Sequence, residues 1–433
     1  MAAQNGCRLP ASLPSTHPGY REPVTSVAVA LAEWADRFRP EAGDLELADR
    51  SLADTVAVTL AARDHPVIRL AAGLPEGARW AVAGHVLDFD DLHMPSTAHI
   101  SAVCVPTALA TGGGARAYLA AAGVMARLGT ALGWPHYSAG WHATCTAGAP
   151  ASAAGAAVAL GLPAERIATA IALAVPAAGG VQRAFGTDAK SLQVGFAVEA
   201  GIRAAGLAAR GAHADPTALD EWLGLVGGDA GPIVATTVDV SGPAVPGGLA
   251  VKIYPCCYAL QRPISALAEV AEGLDPAGVR RIVLRTPEAT VVPLIHHRPG
   301  TGLEGKFSLE YGAAAALLDV HPGFASFTDA AVRRQDARRL AGLVETKLDP
   351  GGDWLLDGQF EAEVHAADGT VARVSQRFPP GAPARPPSPG QLAAKLADCV
   401  GRLDTEPTSW TWDNAADTLR RYLPPADTRD ALS

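Results

Sequence analysis

Asp88-Phe89-Asp90-Asp91-Leu92-His93, with His99 six residues further on, sets three carboxylates and two imidazoles within twelve residues. Acid–base chemistry needs titratable groups at fixed spacing, and this stretch supplies both kinds. Long alanine-rich apolar segments flank it on either side. Charge inside such a helical body is costly unless it is paired or used. The plainer alternative is a loop whose Asp and His residues cap the following helix. Asp90 and Asp91 fit that alternative best, as charges at a helix N-terminus.

Four further segments carry chemistry-bearing side chains. His142 stands in the turn Tyr137-Ser138-Ala139-Gly140-Trp141-His142-Ala143-Thr144. Lys190 ends Phe185-Gly186-Thr187-Asp188-Ala189-Lys190, and Lys252 opens Lys252-Ile253-Tyr254-Pro255-Cys256-Cys257. Lys306 to Tyr311 begins a later helix. Each has an ordinary reading as well: a lysine at a turn is commonly a solvated cap, and His142 fits a core histidine bonded to a carbonyl. His296-His297 reads as loop. A divalent metal on Asp88, Asp90, His93 and His99 is the competing chemistry. No His/Glu pair at zinc spacing accompanies them, so the site reads as metal-free.

The elements that must position these groups follow from the pattern. From about Val24 to Ala268 apolar residues recur at three- and four-residue spacing, as in Val27-Ala28-Leu31-Ala32-Trp34. Small residues line whole helices (Ala153, Ala154, Gly155, Ala156; Gly195, Ala197, Gly201, Ala204), which predicts close helix packing. Gly133-Trp134-Pro135, Gly211 and Gly227-Gly228 mark turns, and Gly112-Gly113-Gly114 a helix start rather than a phosphate loop. After about Glu272 the texture changes. Val279 to Thr286 reads as a strand, and Phe360–Ala366 with Thr370–Phe378 as a hairpin around Asp368-Gly369. Leu309–Leu318 and Ala330–Val344 read as helices. A proline-rich linker follows, and helices over Gln391–Leu403 and Asn414–Leu423 return to the first body. The boundaries are 1–22 a poorly ordered tail, 23–270 helical, 271–387 a small α/β unit, and 388–433 C-terminal helices.

Composition narrows the function. With 433 residues, 48% of them hydrophobic and 18% charged, the chain supports two cores. A net charge of −9 without any basic block excludes nucleic acid as a partner. No apolar run fits a membrane span and no secretory leader is visible. The six cysteines are scattered without a CxxC pair, which fits a reducing cytoplasm.

Taken in order, the DFDD-x-H…H block, the GWHAT turn, the GT-x-x-K step, the K-x-YPCCY segment and the KFSLEY helix start resemble the MmgE/PrpD family. That family includes 2-methylcitrate dehydratase, cis-aconitate decarboxylase and iminodisuccinate epimerase. The resemblance runs from about Ala28 to Leu423. It implies a mainly α fold, with a large all-helical domain formed by both chain ends and a smaller α/β lid domain. It implies a homodimer without metal or organic cofactor, acting on a small carboxylate in a cleft between the domains. It also implies that Asp88, His99, His142, Lys190 and Lys252 line the cleft, with Tyr311 on the lid side. In that reading His99, Lys252, Asp88 and His142 carry the chemistry. Lys190, His93, Tyr311, Gln193 and Leu92 contact the substrate.

The chain departs from the family pattern at Leu92, where threonine is usual, at Ile100 in place of proline, and at Gln193 and Gln261 in place of histidines. Two neutral amides for two imidazoles predict a less positive pocket, and so a substrate with fewer carboxylates or another leaving group. The expected reaction is dehydration of a hydroxy acid, begun by proton abstraction next to a carboxylate. An epimerase or decarboxylase would share that pocket, and a non-catalytic carboxylate-binding protein is the remaining alternative.

Overall fold

The computed structural model describes residues 26–319, 321–350, 355–401 and 403–424. The expected tail over 1–22 lies outside the described residues, as does Cys7. The protein is mainly helical, with a small four-stranded mixed sheet.

Small side chains set the geometry of the helical body. Its main helices are α1 (Val27–Arg37), α2 (Ala42–Ala61), α3 (Glu76–Val86), α4 (Ile100–Thr111), α5 (Gly114–Ser138), α6 (Gly148–Ala159), α7 (Ala164–Ala174) and α8 (Ala189–Ala209). The helix start expected after Gly112 is thus α5. A Cβ on Gly201 of α8 would come within 2.4 Å of the Ser152 Cβ on α6. Glycine therefore permits an approach that alanine would block. α6 carries no charged residue and is buried along nearly its whole length. The turn expected at Gly133 is a break within α5, where the chain passes through φ 61°.

The second core is built around the sheet. After α9 (Tyr258–Ala271), strand β1 (Val279–Pro287) lies between β2 (Val344–Asp349), which runs parallel to it, and β3 (Phe360–Ala366), which is antiparallel. β4 (Val371–Gln376) completes the order β2-β1-β3-β4, joined to β3 by the expected Asp-Gly turn, with Gly369 at φ 90°. α10 (Leu309–Asp319) packs on α9. Two sequence expectations change here. α9, expected with the helical body, packs with the sheet instead: Leu260, Ile264 and Leu267 are buried with Ile282, Leu284 and Phe360. The helix expected over 330–344 is instead two short helices, Asp329–Val332 and Gln335–Ala341, followed by β2.

The C-terminal helices α11 (Pro389–Val400) and α12 (Ala415–Tyr422) add Cys399, Val400, Ala415 and Leu419 to the first core. Lys395 of α11 pairs with Asp54 of α2 at 2.7 Å, both side chains buried. Among the described residues, no helix is long and apolar enough to cross a membrane. The five described cysteines are buried and unbridged.

Candidate active site

α3 ends at Val86, and the chain turns sharply as the Asp88 N–H donates to the His85 carbonyl at 3.0 Å. Asp88 adopts φ 53°, a left-handed conformation that non-glycine residues seldom take. This turn aims the Asp88 carboxylate inward. Leu92 then exchanges both backbone hydrogen bonds with Ala250, at 2.9 and 2.8 Å, which brings Lys252 beside Asp88. The Lys252 ammonium donates to Asp88 Oδ1 at 2.8 Å and to the Asp88 carbonyl at 2.9 Å. Lys190, in the first turn of α8, donates to the same Oδ1 at 2.7 Å. The His99 N–H donates to Thr144 Oγ1 at 3.0 Å, tying the acidic block to the turn that carries His142.

These groups are almost wholly dry. Burial opposes the Asp88 carboxylate, yet Lys190 and Lys252 outweigh it and hold its pKa far below the usual range. Burial likewise opposes the Lys252 ammonium, and Asp88 and Asp90 overcome it, leaving its pKa raised. Asp90 lies 2.7 Å from His85 Nδ1 and 3.0 Å from His99 Nδ1, both to the same Oδ2. Against the effect of burial, those two imidazoles hold Asp90 well below the usual carboxylate range. Burial pushes His99 down to about 4 and lowers His85 and His142, so all three are neutral at pH 7.

A small cavity of about 20 Å³ lies over this cluster, room for little more than a water molecule. Asp88, His99, His142 and Lys190 line it from the helical side. Tyr258, Phe307 and Leu355 face them from the second core. Asp88 Oδ2, His142 Nε2 and Tyr258 Oη are buried without a hydrogen-bond partner. A larger hollow lined by Phe89, Tyr254, Phe324 and Lys395 lies apart from this cluster. Its cations Lys395 and Arg334 are already paired, with Asp54 and Asp319 respectively.

Of the residues singled out in the sequence, Asp88, His99, His142, Lys190 and Leu92 thus meet at one cavity. The others are placed differently. Lys252 sits behind Asp88, fully buried, with its bonds spent on that residue and outside the cavity lining. Gln193 lies behind His142 and bonds to it at 2.7 Å. His93 is outside the cavity, held by Ser96 Oγ and the Pro246 carbonyl, each at 2.7 Å. The period-two alternation about the Leu92 bridge sends its ring the other way. Tyr311 is also outside, its hydroxyl donating to the Ser326 carbonyl. Gln261 is buried, accepting from the Ile253 and Tyr254 N–H groups at 3.0 Å and so shaping the turn after Lys252. Neither amide lines the cavity, so the loss of pocket charge expected from them has no structural basis.

Asp90 and Asp91 part company. Asp91 accepts from the Ser101 N–H at 3.1 Å and from its hydroxyl, which is helix capping as expected. Asp90 is instead the carboxylate shared by His85 and His99. The sequence reading missed His85 and Tyr258, and took Lys306 only as the start of a helix. The signal for His85 was its position three residues before Asp88, alone among the apolar residues that close α3. Lys306 donates to the Pro255 carbonyl at 2.6 Å, and burial lowers its pKa to about 8. A metal ion would find donor atoms of His85, Asp90 and His99 within 4.8 Å of one another. His85 Nδ1 and Asp90 Oδ2 are already joined by an imidazole–carboxylate hydrogen bond at 2.7 Å, and those two atoms cannot serve both purposes at once.

Fold and site together define a mainly helical protein with a dry, cation-bearing acid–base cavity between two cores. Two family models match the chain: the MmgE/PrpD N-terminal domain over residues 79–227 and the MmgE/PrpD C-terminal domain over residues 254–411. The chain belongs to the MmgE/PrpD family. Membership points to an enzyme of the hydro-lyase type acting on organic acids. No curated protein matches the sequence.

Proposed function

We propose that this protein is a lyase that removes a proton next to a carboxylate of a small polycarboxylic acid, with loss of water from a hydroxy acid as the net reaction. The observation that carries this reading is that His99 and Lys190, a neutral imidazole and an ammonium, share one dry cavity. Asp90 beside Nδ1 of His99 favours the proton there, leaving the Nε2 lone pair free as a base. Lys190 keeps N–H groups to offer a substrate carboxylate beyond its bond to Asp88.

As His99 takes the proton, negative charge builds on the substrate carboxylate, where Lys190 stabilises it. The electrons of the C–H bond form the double bond, the C–O bond breaks, and the proton held by His99 leaves with the hydroxyl as water. His142, neutral and buried, acts as a hydrogen-bond donor and not as an acid that loses its proton. Asp88 and Lys252 hold Lys190 in place and do not exchange protons, since Asp88 stays ionised. The same reading assigns a small carboxylate as partner and a cytoplasmic homodimer as working form. Phe196 and Leu207, exposed on one face of α8, favour self-association.

Incubation in D₂O with a panel of hydroxy-di- and tricarboxylates, followed by NMR, tests the reading. Formation of an unsaturated acid that disappears in His99→Asn is the expected result. Deuterium exchange without net product would make the enzyme an epimerase, and release of CO₂ a decarboxylase. Undiminished turnover in His99→Asn would remove His99 as the base.

A further inference from the structure

Two partners flank the inner nitrogen of His142. The Gln193 side-chain amide lies 2.7 Å from Nδ1, and the Cys145 thiol 3.3 Å from it. The amide cannot be turned around. Its Oε1 accepts the Val181 N–H at 3.0 Å, and its Nε2 donates to the Val181 carbonyl at 3.4 Å. A backbone N–H only donates, so the oxygen must face Val181 and the second amide hydrogen must face His142. The thiol of Cys145 is held protonated by burial, its pKa raised, and so it can donate towards Nδ1 as well. Val181 is itself fixed, pairing with Trp141 across an isolated bridge, while the His142 N–H donates to the Gly180 carbonyl at 3.0 Å. Gly180 allows this closeness, since a Cβ there would fall 2.6 Å from the Cys145 Cβ.

With an amide N–H held against it at 2.7 Å, Nδ1 must accept. We propose that Gln193 is a positioning residue that fixes the proton of His142 on Nε2, the nitrogen facing the cavity. His142 then presents a permanent N–H to the ligand, while His99, backed by a carboxylate, presents a lone pair. The two imidazoles hold opposite faces of proton chemistry, and what stands behind each decides which. This deepens the proposed function and rests on it only for the use made of the N–H. The ligand group that suits such a donor is a carboxylate or hydroxyl oxygen, never another N–H. Replacing the amide by a carboxylate, as in Gln193→Glu, should reverse the assignment, because the new side chain would accept from Nδ1 and push the lone pair into the cavity.

The test is long-range ¹⁵N–¹H correlation NMR on the full chain labelled at histidine nitrogens, without substrate. Wild type is expected to show His142 neutral and protonated on Nε2, and Gln193→Glu to show the proton on Nδ1. Cys145→Ala is expected to keep the wild-type form. In kinetics, Gln193→Glu should lower kcat about 10²-fold, the scale of losing one aimed donor, with KM changed much less. A merely structural role would instead lower the amount of folded protein and leave the tautomer unmoved. A wild-type His142 protonated on Nδ1 overturns the proposal, as does a Gln193→Glu protein that keeps the proton on Nε2. Because the spectrum needs no substrate, the tautomer can be right while no hydroxy acid turns over, which would sink the proposed reaction and leave this assignment standing.

Discussion

His99 is the residue on which the chemistry turns, and two measurements bear on it. His99→Asn should lower kcat by about 10²- to 10⁴-fold, the range for loss of a positioned base. Only the neutral imidazole accepts a proton, so kcat/KM should rise with pH as His99 loses its own. Burial moves that midpoint down from about 6.5 towards about 4. A pH–rate profile with its acid limb centred at or above about 6.5 would contradict this. Lys252 offers a separate check. It is buried with Asp88 as its partner, and Lys252→Met breaks a dry ion pair, so chemical denaturation should show a loss of about 3–5 kcal/mol. Much of this cluster was legible in the chain, because Asp88, His99, His142 and Lys190 sit in compact polar blocks against apolar surroundings. His93 and Tyr311 were misplaced for a physical reason. Sequence spacing says which residues are near the site, but the bridge at Leu92 and the turn of α10 decide which way each ring points.

At the level of helices, alanine and glycine decide how near the axes come. Gly201→Ala should destabilise by at least about 1–3 kcal/mol, read as a lower urea midpoint, since its Cβ would meet Ser152 Cβ at 2.4 Å and the Ala153 backbone nitrogen at 2.6 Å. Gly211→Ala has open space around it and suffers only from its φ of 90°, so it serves as the milder control. Periodicity located nearly all the longer helices because each buries a stripe. β2 escaped notice because Val-Glu-Thr-Lys-Leu-Asp at a sheet edge is mostly exposed and shows no alternation of apolar with polar. α9 was assigned to the wrong core for a related reason. Its apolar face is plain in the sequence, but nothing local says which partner covers it.

For the molecule as a whole, buried imidazoles govern the response to acid. His65, His85, His93, His99, His136 and His142 all have lowered pKa values, chiefly through burial. Unfolded, they take up protons near pH 6.5; folded, all six resist to lower pH, His93 and His99 until about pH 4. Between those limits the unfolded chain binds more protons, so stability falls as pH drops through this window. Asp54, Asp91 and Asp220, raised by burial, act in the opposite sense but are fewer. Melting followed from about pH 7 to about pH 4.5 should show a steady decline in Tm, and a flat or rising trace would contradict the balance. The left-handed backbone at Asp88 has a longer reach. Glycine would relieve a strain of about 1–2 kcal/mol there, yet it would strand two ammonium groups in the dry interior at a greater cost. A screen for heat resistance should therefore never find that single change. It should find instead the triple replacement of Asp88, Lys190 and Lys252 by glycine and methionines, a sturdier protein with nothing left to hold a substrate.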